Sequence, residues 1–200
     1  MRDDTVAVVA CGSSAVINLP VYLTYLGSQV DLGLQVLLTH AAERFLPRQT
    51  LAWHAEAVYA SDDPGLNPTE FAMRCRAMVV LPATANMLAA AALGLAGTPA
   101  QTAVLAADRP CLFFPSMNLS MWTKKATQRH VASLREDGHT VVEPKEQHVF
   151  VMWRREFAPN IAMPPPEEAT EIIISWLDGS SFEAPGDVGS PNGVGELRSS

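Results

Sequence analysis

Along this chain, short apolar runs stop abruptly at turns of small polar residues and give way to Ala- and Leu-rich segments. Thr5 to Cys11 (TVAVVAC) ends at Gly12-Ser13-Ser14, and Ala15 to Leu26 follows as an apolar helix, kinked at Pro20. Leu32 to Leu38 ends at Thr39 before a short helix over His40 to Phe45, and Met78 to Leu81 ends at Pro82-Ala83-Thr84-Ala85-Asn86 before a helix over Met87 to Leu95. Cys111 to Phe114 ends at Pro115. A β-branched run without polar alternation is buried on both faces, as in a parallel sheet. The stretch from Val6 to Leu38 has the length of one right-handed βαβ crossover. The order predicts an α/β fold, a three-layer Rossmann-like sandwich with a parallel sheet, whose ligand site lies where strand carboxyl ends face helix N-termini.

The rest of the chain is read more coarsely. Ser61 to Gly65 is a loop, because Pro64 and Gly65 break both helix and ladder. Thr127 to Asp137 forms an amphipathic helix closed by Gly138, and Thr140 to Val142 a short strand. His148 to Trp153 is expected as a strand, Arg154 to Asn160 as a loop, and Pro164-Pro165-Pro166 as the lead into a helix over Glu167 to Leu177. One domain over 1–178 and a disordered tail over 179–200, rich in Gly, Ser, Pro and acids, complete the expectation.

Charge and cysteine usage narrow the function classes. Fourteen basic against 21 acidic residues leave a net charge of −7, which repels a phosphate backbone, so no nucleic-acid partner is expected. The longest apolar stretch, Met87 to Ala96, falls short of the roughly 20 residues that cross a bilayer, and Met1-Arg2-Asp3-Asp4 does not open a signal peptide. No membrane partner and a cytoplasmic location are expected. Cys11, Cys75 and Cys111 have no CxxC spacing and border apolar runs, which favours reduced core thiols over catalytic ones, and the histidines show no metal-ligand spacing.

Three turns carry candidate chemistry. Gly12-Ser13-Ser14-Ala15 sits where free N–H groups and a helix dipole attract a phosphate, although any strand-to-helix turn favours Gly and a capping Ser. It is neither GxGxxG nor a P-loop, which suits a mononucleotide. PATANM (Pro82 to Met87) and PSMNLSMW (Pro115 to Trp122) each place an Asn at a loop-to-helix junction beside small residues. Taken singly, Asn86 and Asn118 would be helix caps, Met117 and Met121 core filler, and Trp122 packing.

Together these motifs resemble the two signatures, PASANT and PxMNxxMW, of the homo-oligomeric flavin-containing cysteine decarboxylases. The resemblance covers Val6 to Pro144, including VAVVACGSSA, VLLTHAAERF and TKKATQRHVASLREDGHTVVEP, and resumes at AMPPPEEATEII. It implies an FMN-dependent oxidative decarboxylation of a cysteine with a free carboxylate, FAD being the alternative cofactor, in trimers that build into dodecamers with flavin at a subunit interface. Gly12, Ser13, Ser14, Thr39, Phe45, Pro82 and Thr84 match positions near the flavin, while Asn86, Met117 and Asn118 match positions facing flavin or substrate; Asn118 is the candidate for holding substrate polar groups.

Two departures refine the implication. The family's histidine about fourteen residues before the PASANT proline is here Pro68, between Asn67 and Thr69, so a base is absent or comes from His54 or a neighbouring subunit. Phosphopantothenoylcysteine decarboxylases of coenzyme A synthesis carry a reducing cysteine after the second motif, and no cysteine follows Cys111 here. That points to the branch acting on the C-terminal cysteine of a ribosomal precursor peptide, giving an aminoenethiol on the way to aminovinyl-cysteine. Phosphopantothenoylcysteine decarboxylation and a non-catalytic flavin-binding regulatory subunit are the alternatives. Trp153, Arg154 and Arg155 match a clamp over the peptide in that branch, or form a solvated strand end.

Overall fold

A strand whose residues are all buried belongs at the centre of a sheet, and β1 (Thr5–Ala10) takes that place. A computed structural model describes residues 4–151 and 154–179 of the chain. β1 pairs in parallel with β2 (Gly33–Leu38) and β4 (Ala77–Ala83). With β3 (Ala57–Tyr59), β5 (Leu112–Pro115) and β6 (Thr140–Val141), the six strands run in the order β3-β2-β1-β4-β5-β6. The chain winds one way through β1 to β3 and the other way from β4, so the winding reverses between β1 and β4.

The period of two along β1 divides the core. Val6, Val8 and Ala10 face α1 (Leu19–Gln29) and α9 (Pro166–Gly179), packing with Leu19, Leu23, Leu26 and Ile173. Ala7, Val9 and Cys11 face the opposite layer of α4 (Pro68–Arg74), α5 (Ala85–Ala92), α6 (Pro99–Leu105) and α8 (Lys125–Glu136), packing with Phe71, Leu88, Ala103, Val131 and Leu134. Burying a side chain such as Leu23 contributes about 1.5–3 kcal/mol. Short helices α2 (His40–Glu43), α3 (Arg48–Leu51) and α7 (Leu119–Trp122) complete the helical set among the described residues.

The structure departs from the expectation in several places. The first helix is two elements, a 3₁₀ turn over Ser14–Asn18 and then α1, with Pro20 in the first turn of α1. A proline there lacks only a donor that the helix start does not use, so it begins a helix and kinks none. Arg154 to Asn160, expected as a loop, gives most of β8 (Glu156–Ala162), which pairs antiparallel with β7 (Lys145–Val151) in a separate hairpin. Pro159 within β8 is tolerated because a two-stranded ribbon leaves an edge free. β4 runs on through Pro82, and its register against β5 shifts between Val80 and Ala83, where the proline has no N–H to donate. β3 and α4 are too short to have announced themselves. Gly179, expected as the first residue of the tail, instead closes α9, and the rest of the expected tail, 180–200, like Trp153 of the expected clamp, lies outside the described residues.

Candidate active site

Where the winding reverses, the loops leaving β1 and β4 part in opposite directions and open a crevice at the strand carboxyl ends. Three turns meet there and are joined by hydrogen bonds. Cys11 N donates to Pro82 O at 3.1 Å, Ser116 N to Ala83 O at 2.8 Å, and the hydroxyls of Ser13 and Ser116 lie 2.7 Å apart. The result is a cavity of about 520 Å³. Gly12, Ser13 and Ser14 line one side, Thr84 another, and Ser116, Met117 and Asn118 a third. Asn18 and Tyr22 from the start of α1, Met121 of α7, and Asn160 to Met163 at the end of β8 close it.

Local chemistry separates scaffold from presented groups. The side chains of Ser13, Thr39 and Thr84 each accept a backbone N–H as helix caps, at 3.4, 3.3 and 3.4 Å. Asn118 stands at the N-cap of α7 but its side chain makes no capping bond. Asn86, expected as a cap, lies inside the first turn of α5, which Thr84 caps instead. Gly12 is required by the fold itself: a Cβ there would overlap the Ala41 methyl and stand 2.7 Å from the Ala41 carbonyl carbon.

Thr39, Phe45, Pro82 and Asn86 do not line this cavity. Thr39 caps α2 beyond β2, Phe45 is 45% exposed, Pro82 is buried in β4, and Asn86 is exposed. Pro68 begins α4, and Asn67 caps it by accepting from Thr69 N and Glu70 N, at the edge of a different hollow of about 310 Å³ beside β3. His54 Nδ1 lies 2.9 Å from Thr24 Oγ1, and His54 does not reach the cavity of its own chain. Sequence reasoning missed Asn18, Tyr22, Asn160 and Met163, whose approach depends on α1 and the hairpin folding over the turns.

Among the described residues no charged side chain lines the cavity. Its one ionisable lining group, the Tyr22 hydroxyl, donates to Pro164 O at 2.8 Å, and burial, with the nearby Glu167 carboxylate, pushes its pKa up. Burial pushes the Cys11 thiol up to about 11, against hydrogen bonds from Thr84, and the Cys111 thiol up to about 12. All three cysteines are buried free thiols, as expected of core residues. Among the described residues no group of three or more His, Cys, Asp or Glu gathers to hold a metal, and no helix is long and apolar enough to cross a membrane.

A doubly wound parallel sheet with a polar, uncharged cleft at its switch point defines an α/β protein that takes a nucleotide-sized ligand. The chain belongs to the Flavoprotein family, whose model matches residues 1–177. It is 31% identical over 176 residues to the mersacidin decarboxylase of Bacillus sp. (strain HIL-Y85/54728), covering 86% of this chain and 90% of that protein. The solved structure of MrsD from Bacillus sp. HIL-Y85/54728 superposes with a TM-score of 0.75 at 30% identity, over 88% of this chain and 97% of that one. TvaF, an FMN-dependent cysteine decarboxylase from thioviridamide biosynthesis, superposes with a TM-score of 0.66 at 30% identity, over 70% of this chain and 90% of that one.

Proposed function

We propose that this chain is a flavin-dependent peptidyl-cysteine decarboxylase, oxidising and decarboxylating the C-terminal cysteine of a ribosomal precursor peptide to an aminoenethiol that leads to aminovinyl-cysteine. The observation that carries this is the meeting of GSSA, PATANM and PSMNLSMW at one cavity in a chain related to cysteine decarboxylases.

The residues suit FMN. Gly12, Ala15 and Ala85 leave room, and the Ser14 hydroxyl is exposed at the start of the 3₁₀ turn where a phosphate is favoured. Ser13, Thr84 and Met117 complete its surroundings, with Thr39, Phe45, Pro82 and Asn86 as further contacts in the assembled protein. A single cavity of about 520 Å³ favours the mononucleotide over FAD. When bound, the flavin supplies two-electron oxidation of the cysteine side chain, and the thioaldehyde β to the carboxylate is the sink through which carbon dioxide leaves. The protein orients and shields. Asn118, with a side chain not spent on capping, holds the substrate's polar groups, while Met117, Met121 and Met163 surround the thiol with soft apolar surface. No described residue of the cavity ionises near neutrality, so the substrate thiol gives its proton to solvent. No thiol lines the cavity to reduce the enethiol, which favours release of the unsaturated product over the coenzyme A reaction.

Ile17, Val21 and Trp53 leave large apolar surface exposed, Trp53 at 91%, which supports a homo-oligomer, a trimer or a dodecamer built from four trimers, working in the cytoplasm where the peptide is made. The described part, to Gly179, is proposed as one decarboxylase domain, with 180–200 as its tail. Incubating the purified protein and FMN with a cysteine-ended peptide tests the reading: mass spectrometry should show loss of carbon dioxide and two hydrogens, and light scattering a trimer or its multiple. A folded, colourless protein that does not take up FMN would overturn it.

A further inference from the structure

In a cavity without a cation, a carboxylate is held only by neutral donors, and each must be aimed there by the fold. We propose that Asn160 of β8 supplies, with Asn118, a pair of amides that grip the substrate's terminal carboxylate; this rests on the peptidyl-cysteine reading above. Two backbone N–H groups, of Leu119 and Ile161, converge on one atom of the Asn160 amide, each at 2.9 Å. Two donors meeting at one atom identify it as the oxygen. The NH₂ group is therefore turned the other way, and the Asn160 side chain lines the cavity with no further hydrogen bond among the described residues.

Leu119 directly follows Asn118, so a single peptide unit couples the two amides. The same oxygen fastens the hairpin to the first turn of α7, setting the cavity wall and the donor together. Neutral donors also suit the chemistry. An arginine would favour the charged carboxylate of the ground state, and that charge disappears as carbon dioxide leaves, so a cation would oppose the step that two amides only orient.

The decisive variant is Asn160→Asp, which keeps an oxygen for Leu119 N and Ile161 N but replaces the NH₂ by a negative oxygen. With the full chain loaded with FMN, calorimetry would measure binding of an unreactive peptide ending in Ser, as C-terminal acid and as C-terminal amide. Wild type should prefer the acid roughly ten- to a hundredfold, the scale of a hydrogen bond to a charged group. Asn160→Asp should abolish or invert that preference at an unchanged melting temperature, and should raise KM for the cysteine-ended peptide more than it lowers kcat. Asn160→Ala should lose the preference and also melt lower, and Asn160→Ser provides the readout if the Asp variant does not fold. Retention of the acid preference in the Asp and Ser variants would confine Asn160 to fastening the hairpin, and equal wild-type affinity for acid and amide would remove the carboxylate grip altogether. Wild-type decarboxylation of the cysteine-ended peptide is measured alongside: its absence overturns the functional reading, whereas its presence with either of those results overturns this assignment alone.

Discussion

Raising pH should accelerate this protein in proportion to the ionisation of its substrate. The cavity is lined by amides, hydroxyls and thioethers, its one ionisable lining group among the described residues is a tyrosine whose pKa is raised, and His54 is turned to Thr24. With no base at hand, the reactive thiolate is set by the peptide's own thiol, with a pKa of about 8.5. The thiolate fraction is then about 1% at pH 6.5, about 9% at pH 7.5 and about half at pH 8.5. kcat/KM should climb close to tenfold per pH unit below about pH 8, and about fiftyfold from pH 6.5 to 8.5. A histidine base with a pKa of about 6.5 would allow only about a twofold rise over the same interval. The assay is the initial rate of peptide mass loss at subsaturating peptide, with flavin occupancy verified by absorbance at each pH. His54→Ala should reproduce the wild-type profile. A plateau by neutral pH refutes the reasoning, and its disappearance in His54→Ala would make that residue the base.

Gly12→Ala forces a methyl against Ala41, so α2 must shift; a cost of about 1–3 kcal/mol should lower the melting temperature by roughly 2–12 °C, with partial recovery in the Gly12→Ala, Ala41→Gly double variant. Loss of flavin at an unchanged melting temperature would instead place Gly12's role entirely under the phosphate. Asn118→Ala should change stability by less than about 0.5 kcal/mol, because the side chain caps nothing, yet lower kcat/KM by roughly a hundredfold with flavin retained; near-wild-type turnover would contradict this. Burial lowers the pKa of His139, outweighing Asp137, while Nδ1 accepts Cys111 N–H at 2.9 Å. The folded state therefore binds fewer protons than the unfolded chain below pH 6.5, and its stability, full above that value, is lost as pH falls through the lowered pKa. Melting curves from pH 7.5 to 5 should show a decline that His139→Gln reduces, and parallel declines in both proteins would rule the histidine out.

The layered fold was legible because continuous apolar runs can only be central parallel strands, and because Ser13, Thr39 and Thr84 cap elements by local chemistry that needs no distant partner. The motif turns were legible for the same reason. Their separation into scaffold and presented groups was not: Asn86 and Asn118 look alike in sequence, but Thr84 takes the capping place ahead of Asn86, while Asn118 stays at the start of α7, where the distant Asn160 accepts Leu119 N–H. Arg154 to Asn160 read as a loop, and the pairing of Lys145–Val151 with Glu156–Ala162 makes most of it a strand. Local rules thus set the central strands and the polar turns that follow them, whereas the strand order and the β7–β8 hairpin were decided by tertiary pairing. The cleft, and the place of Asn160 in its wall, come from hydrogen bonds between residues up to 142 positions apart, whose geometry exists only once the sheet has brought the strand ends together.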